Sequence, residues 1–151
     1  MKVFDMDEIS LIDLKVALNQ DSYFDLIKTL LLSCTYPSTE EKVQDTINYY
    51  LHTDSTDLLG IEKNNDLIGL LGIELRLNKG IIKHISILPD FQKEGIGTKV
   101  IKTLPIKYDL NIIEAETDNE SVSFYQNLGF MTQLIENNSY SIPRYLCVLR
   151  A

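Results

Sequence analysis

The sequence contains few of the residues that crosslink small proteins or ligate metals. Its 151 residues include two cysteines, two histidines and no tryptophan. Cys34 and Cys147 are too few and too far apart in the chain for a disulfide framework, and both are expected to be buried thiols because their neighbours are apolar. Two histidines and scattered carboxylates give no zinc-ligand spacing, so no metal is expected.

Long apolar runs and clusters of basic residues are also missing. No stretch approaches the roughly 18 apolar residues of a membrane span. Residues 1–8 turn acidic at once and lack the apolar core of a signal peptide, so we expect a cytoplasmic protein with no membrane partner. A net charge of −8 argues against nucleic acid as a partner, because that binding depends on clustered Lys and Arg. The acidity mildly favours a cationic substrate, although it also serves solubility.

The hydrophobic content of 44% is enough for a single domain core. Apolar residues at helical spacing predict two helices in the first third of the chain, one through Leu11, Leu14 and Leu18 and one through Phe24, Ile27, Leu31 and Cys34. Ser38 and Glu41 have the spacing of a capping box, which predicts a third helix that runs to about Leu51.

From residue 57 the pattern changes to that of strands. Residues 57–63, 67–77 and 80–88 predict an antiparallel meander. A helix from Ile96 should stop near Leu104, because Pro105 lacks an amide donor; the alternative is a helix kinked at Pro105. Residues 111–116 predict a strand, and a capping box of Thr117 and Glu120 predicts a helix from Asp118 that ends at Gly129. Residues 131–136 and 145–149 predict two last strands.

A glycine-rich segment, Gln92-Lys93-Glu94-Gly95-Ile96-Gly97, stands between the third predicted strand of the meander and the helix that follows it. Residues 92–98 are called the glycine loop below. Glycines allow close approach of a ligand to the backbone, and the first amides of a helix have no acceptor within it. The loop therefore predicts a phosphate-binding site.

A second motif, Phe124-Tyr125-Gln126-Asn127-Leu128-Gly129-Phe130, follows further along the chain. Together the two segments resemble the GCN5-related N-acetyltransferase (GNAT) family, which has a Gln/Arg-x-x-Gly-x-Gly/Ala loop after its fourth strand and Tyr-x-x-x-Gly-Phe at the end of a later helix. The resemblance covers roughly residues 57–150 in element order, with its specific motifs at 85–98 and 116–130.

The resemblance implies a single-domain α/β fold with a mixed, mostly antiparallel central sheet flanked by helices. Residues 1–56 would form a helical acceptor-side region, and residues 57–151 the sheet and an acetyl-CoA-binding core. The implied activity is acetyl transfer from acetyl-CoA to an amine of a small molecule or peptide, by direct attack in a cleft between the two central strands. A homodimer is compatible with it. The implied cofactor contacts are Ile85, Ser86, Ile87, Gln92, Lys93, Glu94, Gly95, Ile96, Gly97, Thr98 and Asp118.

Two of the implied roles have alternatives. Tyr125 matches a tyrosine that can give the departing thiolate its proton, and an ordinary tyrosine, with a pKa near ~10, is protonated at neutral pH. The alternative for Tyr125 is core packing with Phe124 and Phe130. Asp118 stands where many relatives have Asn, so it either contacts the cofactor arm or only caps a helix.

The general base is the least determined role. Strand alternation puts His84 and Ser86 on one face, and Glu114 and Glu116 on one face of another strand. Glu74 lies on a neighbouring strand. His84 has the most suitable ordinary pKa, and His84 and Glu116 are the two candidates that we carry forward.

The resemblance places aromatic residues of the first helices in the acceptor wall, although such residues more often form core. They are Tyr23, Phe24, Tyr36, Tyr49 and Tyr50. Two other functions stay open. One is a non-catalytic acyl-CoA-binding sensor, and the other is a nucleotide- or phosphate-binding α/β protein, which the absence of a Lys-Ser/Thr loop ending disfavours.

Overall fold

The computed structural model describes residues 9–18, 21–136 and 142–151, so the acidic segment 1–8 lies outside the described residues. Within them, the strands are β1 (Ile9–Asp13), β2 (Thr56–Lys63), β3 (Asp66–Arg76), β4 (Lys79–Ile87), β5 (Ile112–Asp118), β6 (Met131–Ile135) and β7 (Arg144–Arg150). The helices are α1 (Leu14–Ala17), α2 (Asp21–Leu32), α3 (Glu40–His52), α4 (Ile96–Tyr108) and α5 (Val122–Asn127), with a 3-10 turn at Pro89–Phe91.

The described strands form one seven-stranded sheet in the order β1-β2-β3-β4-β5-β7-β6. Strands β2, β3 and β4 make the predicted antiparallel meander. The pair β4 and β5 is parallel, and its ladder covers only Lys79–Ile82 against Ile112–Ala115. Beyond it the two central strands no longer pair with each other. The expected mixed, mostly antiparallel sheet flanked by helices is confirmed.

A β-bulge interrupts β4 at Lys83. Gly72 of β3 pairs with His84, whereas the next residue, Ile73, pairs with Ile82. The extra residue moves the side chains after it to the other face of the sheet. Ile82 thus packs in the core beneath α4, whereas His84 faces α3 and contacts Tyr50.

Two hydrophobic cores lie on the sheet. One contains buried residues of α4 and α5 with the central strands, among them Ile101, Leu104 and Ile113, each 0% exposed. The other joins α1, α2 and α3 to β2 and β3, with Tyr50 among its fully buried members. This second core fixes the N-terminal helices over the edge of β4 where the central strands separate.

The predicted helix through Leu11 is wrong. Residues Ile9–Asp13 form strand β1, which pairs antiparallel with β2, and the helix α1 is a single turn. Asp13 caps that turn by accepting from the Lys15 amide. Tertiary pairing with β2 overrides the helical spacing of the leucines.

The helix that follows the glycine loop passes through Pro105 and ends at Tyr108, so its predicted stop near Leu104 is wrong. Proline removes one amide donor, but Ile101 and Leu104 are fully buried on the same helix. Their burial offsets the missing hydrogen bond. Asp109, with φ 56°, then ends the helix, and the Leu110 amide donates to Pro105 O at 2.9 Å.

Two helix starts also differ from the prediction. The cap of α3 is Thr39 rather than Ser38, because the Thr39 hydroxyl accepts from the Lys42 amide. The last helix begins at Val122 rather than Asp118, which still belongs to β5. The predicted left-handed residue at its end, Gly129, is confirmed by a φ of 98°.

Candidate functional site

A cleft with a volume of about 560 Å³ opens where β4 and β5 separate. Its lining comes from the α2–α3 connection, α3, β4, β5 and β7. Three basic and three acidic side chains line it: Lys42, Lys83, Arg144, Asp45, Glu114 and Glu116. The cleft is therefore close to neutral, although the chain carries a net charge of −8.

The glycine loop presents a run of unpaired backbone amides. Lys93 and Gly95 have φ values of 67° and 80°. The first backbone hydrogen bond of α4 in the described residues is donated by the Lys99 amide to Gly95 O, at 3.1 Å. Within the described part of the chain, the amides of residues 93–98 have no backbone acceptor. Successive free amides ahead of a helix N-terminus form a concave site for an anion.

Side chains hold the glycine loop in this shape. The Gln92 amide group donates to Ile87 O at 2.8 Å, which ties the loop to the end of β4. Lys63 pairs with Glu94 at 2.9 Å. A Cβ atom at Gly97 would lie 3.2 Å from Phe124 Cζ, so the first turn of α4 lies against α5. The two sequence motifs are therefore in contact.

Tyr125 is 4% exposed, and its ring packs edge-on against Phe124 and Phe130 at centroid distances of 5.1 and 5.2 Å. Its hydroxyl makes no hydrogen bond in the described part of the chain. Burial raises the pKa of Tyr125 above its ordinary value of 10.0, so the hydroxyl stays protonated. The ring belongs to the core, while the hydroxyl is left available as a proton donor.

Asp118 ends β5 and closes the turn before α5. Its Oδ1 accepts from the amides of Glu120 and Ser121 at 3.1 and 3.0 Å. The carboxylate thus supports the turn from which α5 starts.

His84 is held by Tyr50. The Tyr50 hydroxyl oxygen lies 2.6 Å from His84 Nδ1, and Tyr50 is 0% exposed. A Cβ atom at Gly72 would lie 1.7 Å from that hydroxyl, so only glycine leaves room for it. Burial raises the pKa of Tyr50 above its ordinary value, which keeps the hydroxyl proton in place.

The position of that proton fixes the tautomer of His84. No other acceptor for the Tyr50 hydroxyl lies among the described residues, and an unsatisfied buried donor costs about 1–3 kcal/mol, a factor of roughly 5–150. Nδ1 therefore accepts from Tyr50, and the imidazole carries its proton on Nε2. Burial lowers the pKa of His84 from 6.5 to about 4, with the charges of Lys83 and Lys42 acting in the same direction. The ring is neutral at pH 7.

Three carboxylates in or near the cleft, Glu74, Glu114 and Glu116, have basic partners. Glu114 pairs with Lys79 at 3.2 Å, and Glu116 with Arg144 at 3.4 Å. Glu116 is exposed, with its side chain 47% accessible, and it lines the cleft. A hydrogen bond from Arg76, and a second from Tyr49, hold the pKa of Glu74 below its usual value.

The side chains at the end of β4, beyond the point where it separates from β5, contact other parts of the protein. Ser86 Oγ and Ser33 Oγ are 2.5 Å apart, while Ile85 and Ile87 pack on the core of α4. Cys34 lines the cleft and is half-buried, so its expected burial is only partial. Burial raises the pKa of the Cys34 thiol to about 12, which keeps it protonated at neutral pH. The other thiol, Cys147, is buried as expected.

Residues 54–132 match the model of the acetyltransferase (GNAT) domain, which is more than half of the chain. The chain belongs to the GNAT acetyltransferase family. No protein of curated function matches the sequence.

Solved structures of GNAT proteins share the fold of this acetyltransferase chain at low identity. A GNAT acetyltransferase from Elizabethkingia anophelis with acetyl-CoA bound is 20% identical, with a TM-score of 0.68 over 96% of this chain and 99% of its own. A Bacillus subtilis acetyltransferase in complex with CoA is 19% identical, with a TM-score of 0.67 over 95% and 97%. A variant of the Vibrio cholerae spermidine N-acetyltransferase is 18% identical, with a TM-score of 0.68 over 94% and 93%.

The GNAT fold brings only part of the predicted site into the cleft. His84 and Glu116 both line it, and so do Tyr36 and Tyr49 from the predicted aromatic wall. Tyr23 and Phe24 pack instead on the core of the N-terminal helices. The glycine loop, Tyr125 and Asp118 contribute nothing to the described lining and lie on the α4–α5 side.

Sequence reasoning missed several residues of the candidate site. Gly72 and the pairing of Tyr50 with His84 have no local signal, because the partners belong to three separate elements. Lys42 and Thr35 line the cleft without belonging to any motif. The helical spacing of Val43, Ile47 and Tyr50 marks the buried face of α3. Lys42 precedes that face by one residue, and this position by itself indicates no role in a site.

No group of three or more His, Cys, Asp or Glu side chains that could hold a metal ion is found among the described residues. In that same part of the chain, no helix is both long and apolar enough to cross a membrane.

Proposed function

We propose that this protein is a single-domain, acetyl-CoA-dependent N-acetyltransferase that moves the acetyl group to an amine of a small molecule or peptide. The observation that carries the proposal is the run of unpaired amides at residues 93–98, beside the point where β4 and β5 separate. The GNAT structures with acetyl-CoA or CoA bound support the choice of donor.

The donor would be held mainly by backbone groups. The amides of Lys93, Glu94, Gly95, Ile96, Gly97 and Thr98 would bind the pyrophosphate. Gln92 would keep the loop closed through its bond to Ile87 O. The backbone edge of Ile85, Ser86 and Ile87 would bind the pantetheine arm, because no described strand pairs with β4 on that side beyond Ile82. Asp118 would stabilise the turn before α5, beside the pantetheine arm.

The chemical step would be direct attack of the amine nitrogen on the thioester carbon. A C–N bond forms, the C–S bond breaks, the amine gives up one proton and the departing thiolate gains one. Tyr125 would supply the thiolate proton, since its hydroxyl is protonated and makes no bond within the described residues. A covalent acetyl-cysteine is disfavoured because Cys34 stays a thiol at neutral pH.

Removal of the amine proton has two candidates. Glu116 is a carboxylate on the cleft wall, and it could take the proton directly or through water. His84 is neutral at pH 7, but its lone pair on Nδ1 already accepts from Tyr50. We favour Glu116 as the base for that reason.

A non-catalytic acyl-CoA-binding sensor is the second candidate function. The engaged lone pair of His84 and the ion pair of Glu116 with Arg144 favour it, because both reduce the supply of a free base. Detectable acetylation of any amine by the purified protein would discard it.

The test of the donor site is thermal unfolding with acetyl-CoA, CoA and ATP in turn. Each CoA species at about 100 times its Kd should add about 2.7 kcal/mol and raise the midpoint by roughly 5–10 °C. ATP should give no comparable shift. No shift with either CoA species would refute the donor site.

A pair of substitutions at Gly97 sharpens this test. Gly97→Glu should remove the CoA shift, because a carboxylate would occupy the phosphate site. Gly97→Ala is the matched control, since its methyl group would meet two apolar side chains, Phe124 at 3.2 Å and Ile87 at 3.7 Å, and adds no charge. An unchanged shift in Gly97→Glu would remove the phosphate-binding role of the loop.

A further inference from the structure

His84 offers a hydrogen-bond donor to the cleft. With Nδ1 bonded to the Tyr50 hydroxyl, the ring proton is on Nε2, and His84 lines the cleft wall. Nε2 has no partner among the described residues. Because Tyr50 is fully buried and sits directly on Gly72, the orientation of the ring is fixed. A fixed donor of this kind matches an oxygen atom of a ligand.

Two lysines contribute positive charge near this donor. Lys42 and Lys83 both line the cleft, and both act on His84 through their charge. The Lys83 ammonium lies 3.9 Å from Glu74, a long ion pair. Lys42 Nζ has no hydrogen bond or ion pair among the described residues. An ammonium without a partner, in the same cleft as a neutral imidazole donor, favours an anionic oxygen.

The cleft holds a second unsatisfied group, on the α2–α3 connection. Thr35, 9% exposed, lines the cleft from the α2–α3 connection. Its Oγ1 is the one buried side-chain polar atom in the described residues that lacks a hydrogen-bond partner. Buried hydroxyls in native proteins are nearly always satisfied, so an orphan beside a cleft indicates a ligand or water partner.

The acidic residues of the cleft supply the complementary charge. Glu114 and Glu116 are paired with Lys79 and Arg144, whereas Asp45 has no ion pair among the described residues. The cleft thus presents both signs of charge. Of Lys42 and Lys83, only Lys42 lacks an acidic partner among the described residues, so it is the cation left to attract an anionic group of the ligand.

We propose that the acetyl acceptor carries a carboxylate close to its amine, and that His84 Nε2–H and Lys42 bind this carboxylate while Tyr50 positions the imidazole. The inference rests on the proposed function and names its substrate class. An α-amino acid is the simplest molecule of this kind.

The first test compares three acceptor panels with acetyl-CoA: the proteinogenic amino acids, their carboxamides and their decarboxylated amines. Acetylation is followed as release of the CoA thiol. We expect kcat/KM to be roughly 10- to 100-fold higher for the best amino acid than for its decarboxylated amine, the range expected for a charge-assisted hydrogen bond. Equal or better use of the amines or of spermidine would overturn the proposal, and so would no acetylation from any panel.

Two substitutions of His84 separate its two nitrogens. His84→Asn keeps an acceptor at the position of Nδ1 for Tyr50 but removes the donor into the cleft. His84→Gln places an amide group at the position of Nε2 and loses the Tyr50 bond. The preference for the amino acid should fall about tenfold or more in His84→Asn and be better retained in His84→Gln. Equal preference in the wild type and His84→Asn would overturn the role of Nε2–H.

Lys42 allows a test that does not perturb the core. Lys42→Gln should raise KM for the amino acid about tenfold, while Lys102→Gln, an equal charge change at an exposed site on α4, should not. Equal effects would overturn the role of Lys42. Failure of the proposed function is recognised separately: loss of the donor site would abolish the acetyl-CoA thermal shift, and a non-catalytic sensor would keep that shift while acetylating no amine. An amine acetylated without preference for the carboxylate would instead overturn only the acceptor class proposed here.

Discussion

The buried imidazole of His84 should make the stability of this protein depend on pH in a predictable direction. Burial lowers its pKa in the folded chain from 6.5 to about 4, and the charges of Lys83 and Lys42 add to this effect. As the pH falls, the unfolded chain therefore binds the proton first. The free energy of unfolding should decrease between pH 6.5 and about 4, and His84 should add no further slope below that.

The size of the effect follows from the two pKa values. A difference between 6.5 and about 4, at about 1.4 kcal/mol per pH unit, corresponds to a maximum loss of about 3 kcal/mol. Between pH 7 and pH 4.5 most of this is expected, about 2–3 kcal/mol. That loss is a large fraction of the stability of an ordinary domain.

The assay is urea unfolding at a series of pH values for the wild type and for His84→Asn. Asparagine still accepts from Tyr50 but has no proton to gain, so other titrating groups cancel in the comparison. The chain has two histidines, and His52 is exposed, so imidazole NMR can follow His84 directly. Parallel pH curves for the two proteins, or an NMR pKa near 6.5 for His84, would refute the reasoning.

Two substitutions test the remaining parts of the site. Tyr125→Phe should lower kcat at least about tenfold with little change in CoA affinity, because a general acid acts only in the chemical step; equal kcat at saturating substrate would return Tyr125 to core packing alone. Gly72→Ala should cost about 1–3 kcal/mol in urea unfolding, since its Cβ would lie 1.7 Å from the Tyr50 hydroxyl. Its cost should be smaller in a Tyr50→Leu background, and strictly additive costs would contradict the contact.

Features that depend on neighbouring residues could be predicted from the sequence. The meander, the start of α4 at the glycine loop and the left-handed Gly129 follow from period-two patterning and from glycine chemistry within short segments. The family resemblance rests on these same segments. The resemblance also predicted that the two central strands of the sheet separate.

Features that depend on distant residues could not be predicted. The bulge at Lys83 is a register shift between β3 and β4, and no residue type in the sequence indicates it. Strand β1 exists because Ile9–Asp13 pairs with β2, against the helical spacing of its leucine. Helix α4 passes through Pro105 because its buried residues outweigh one lost bond.

The same division separates the two halves of the site. Binding of CoA phosphates needs only backbone amides in a set conformation, and a short motif specifies that conformation whatever its side chains are. Recognition of an acceptor needs particular side chains at particular distances, and the acceptor site proposed here depends on the contact of Tyr50 of α3 with Gly72 of β3 and His84 of β4. Any of these elements can change without disturbing residues 93–98. Such a fold can therefore keep one donor while its acceptor changes, and the acceptor has to be inferred from three-dimensional contacts rather than from motifs.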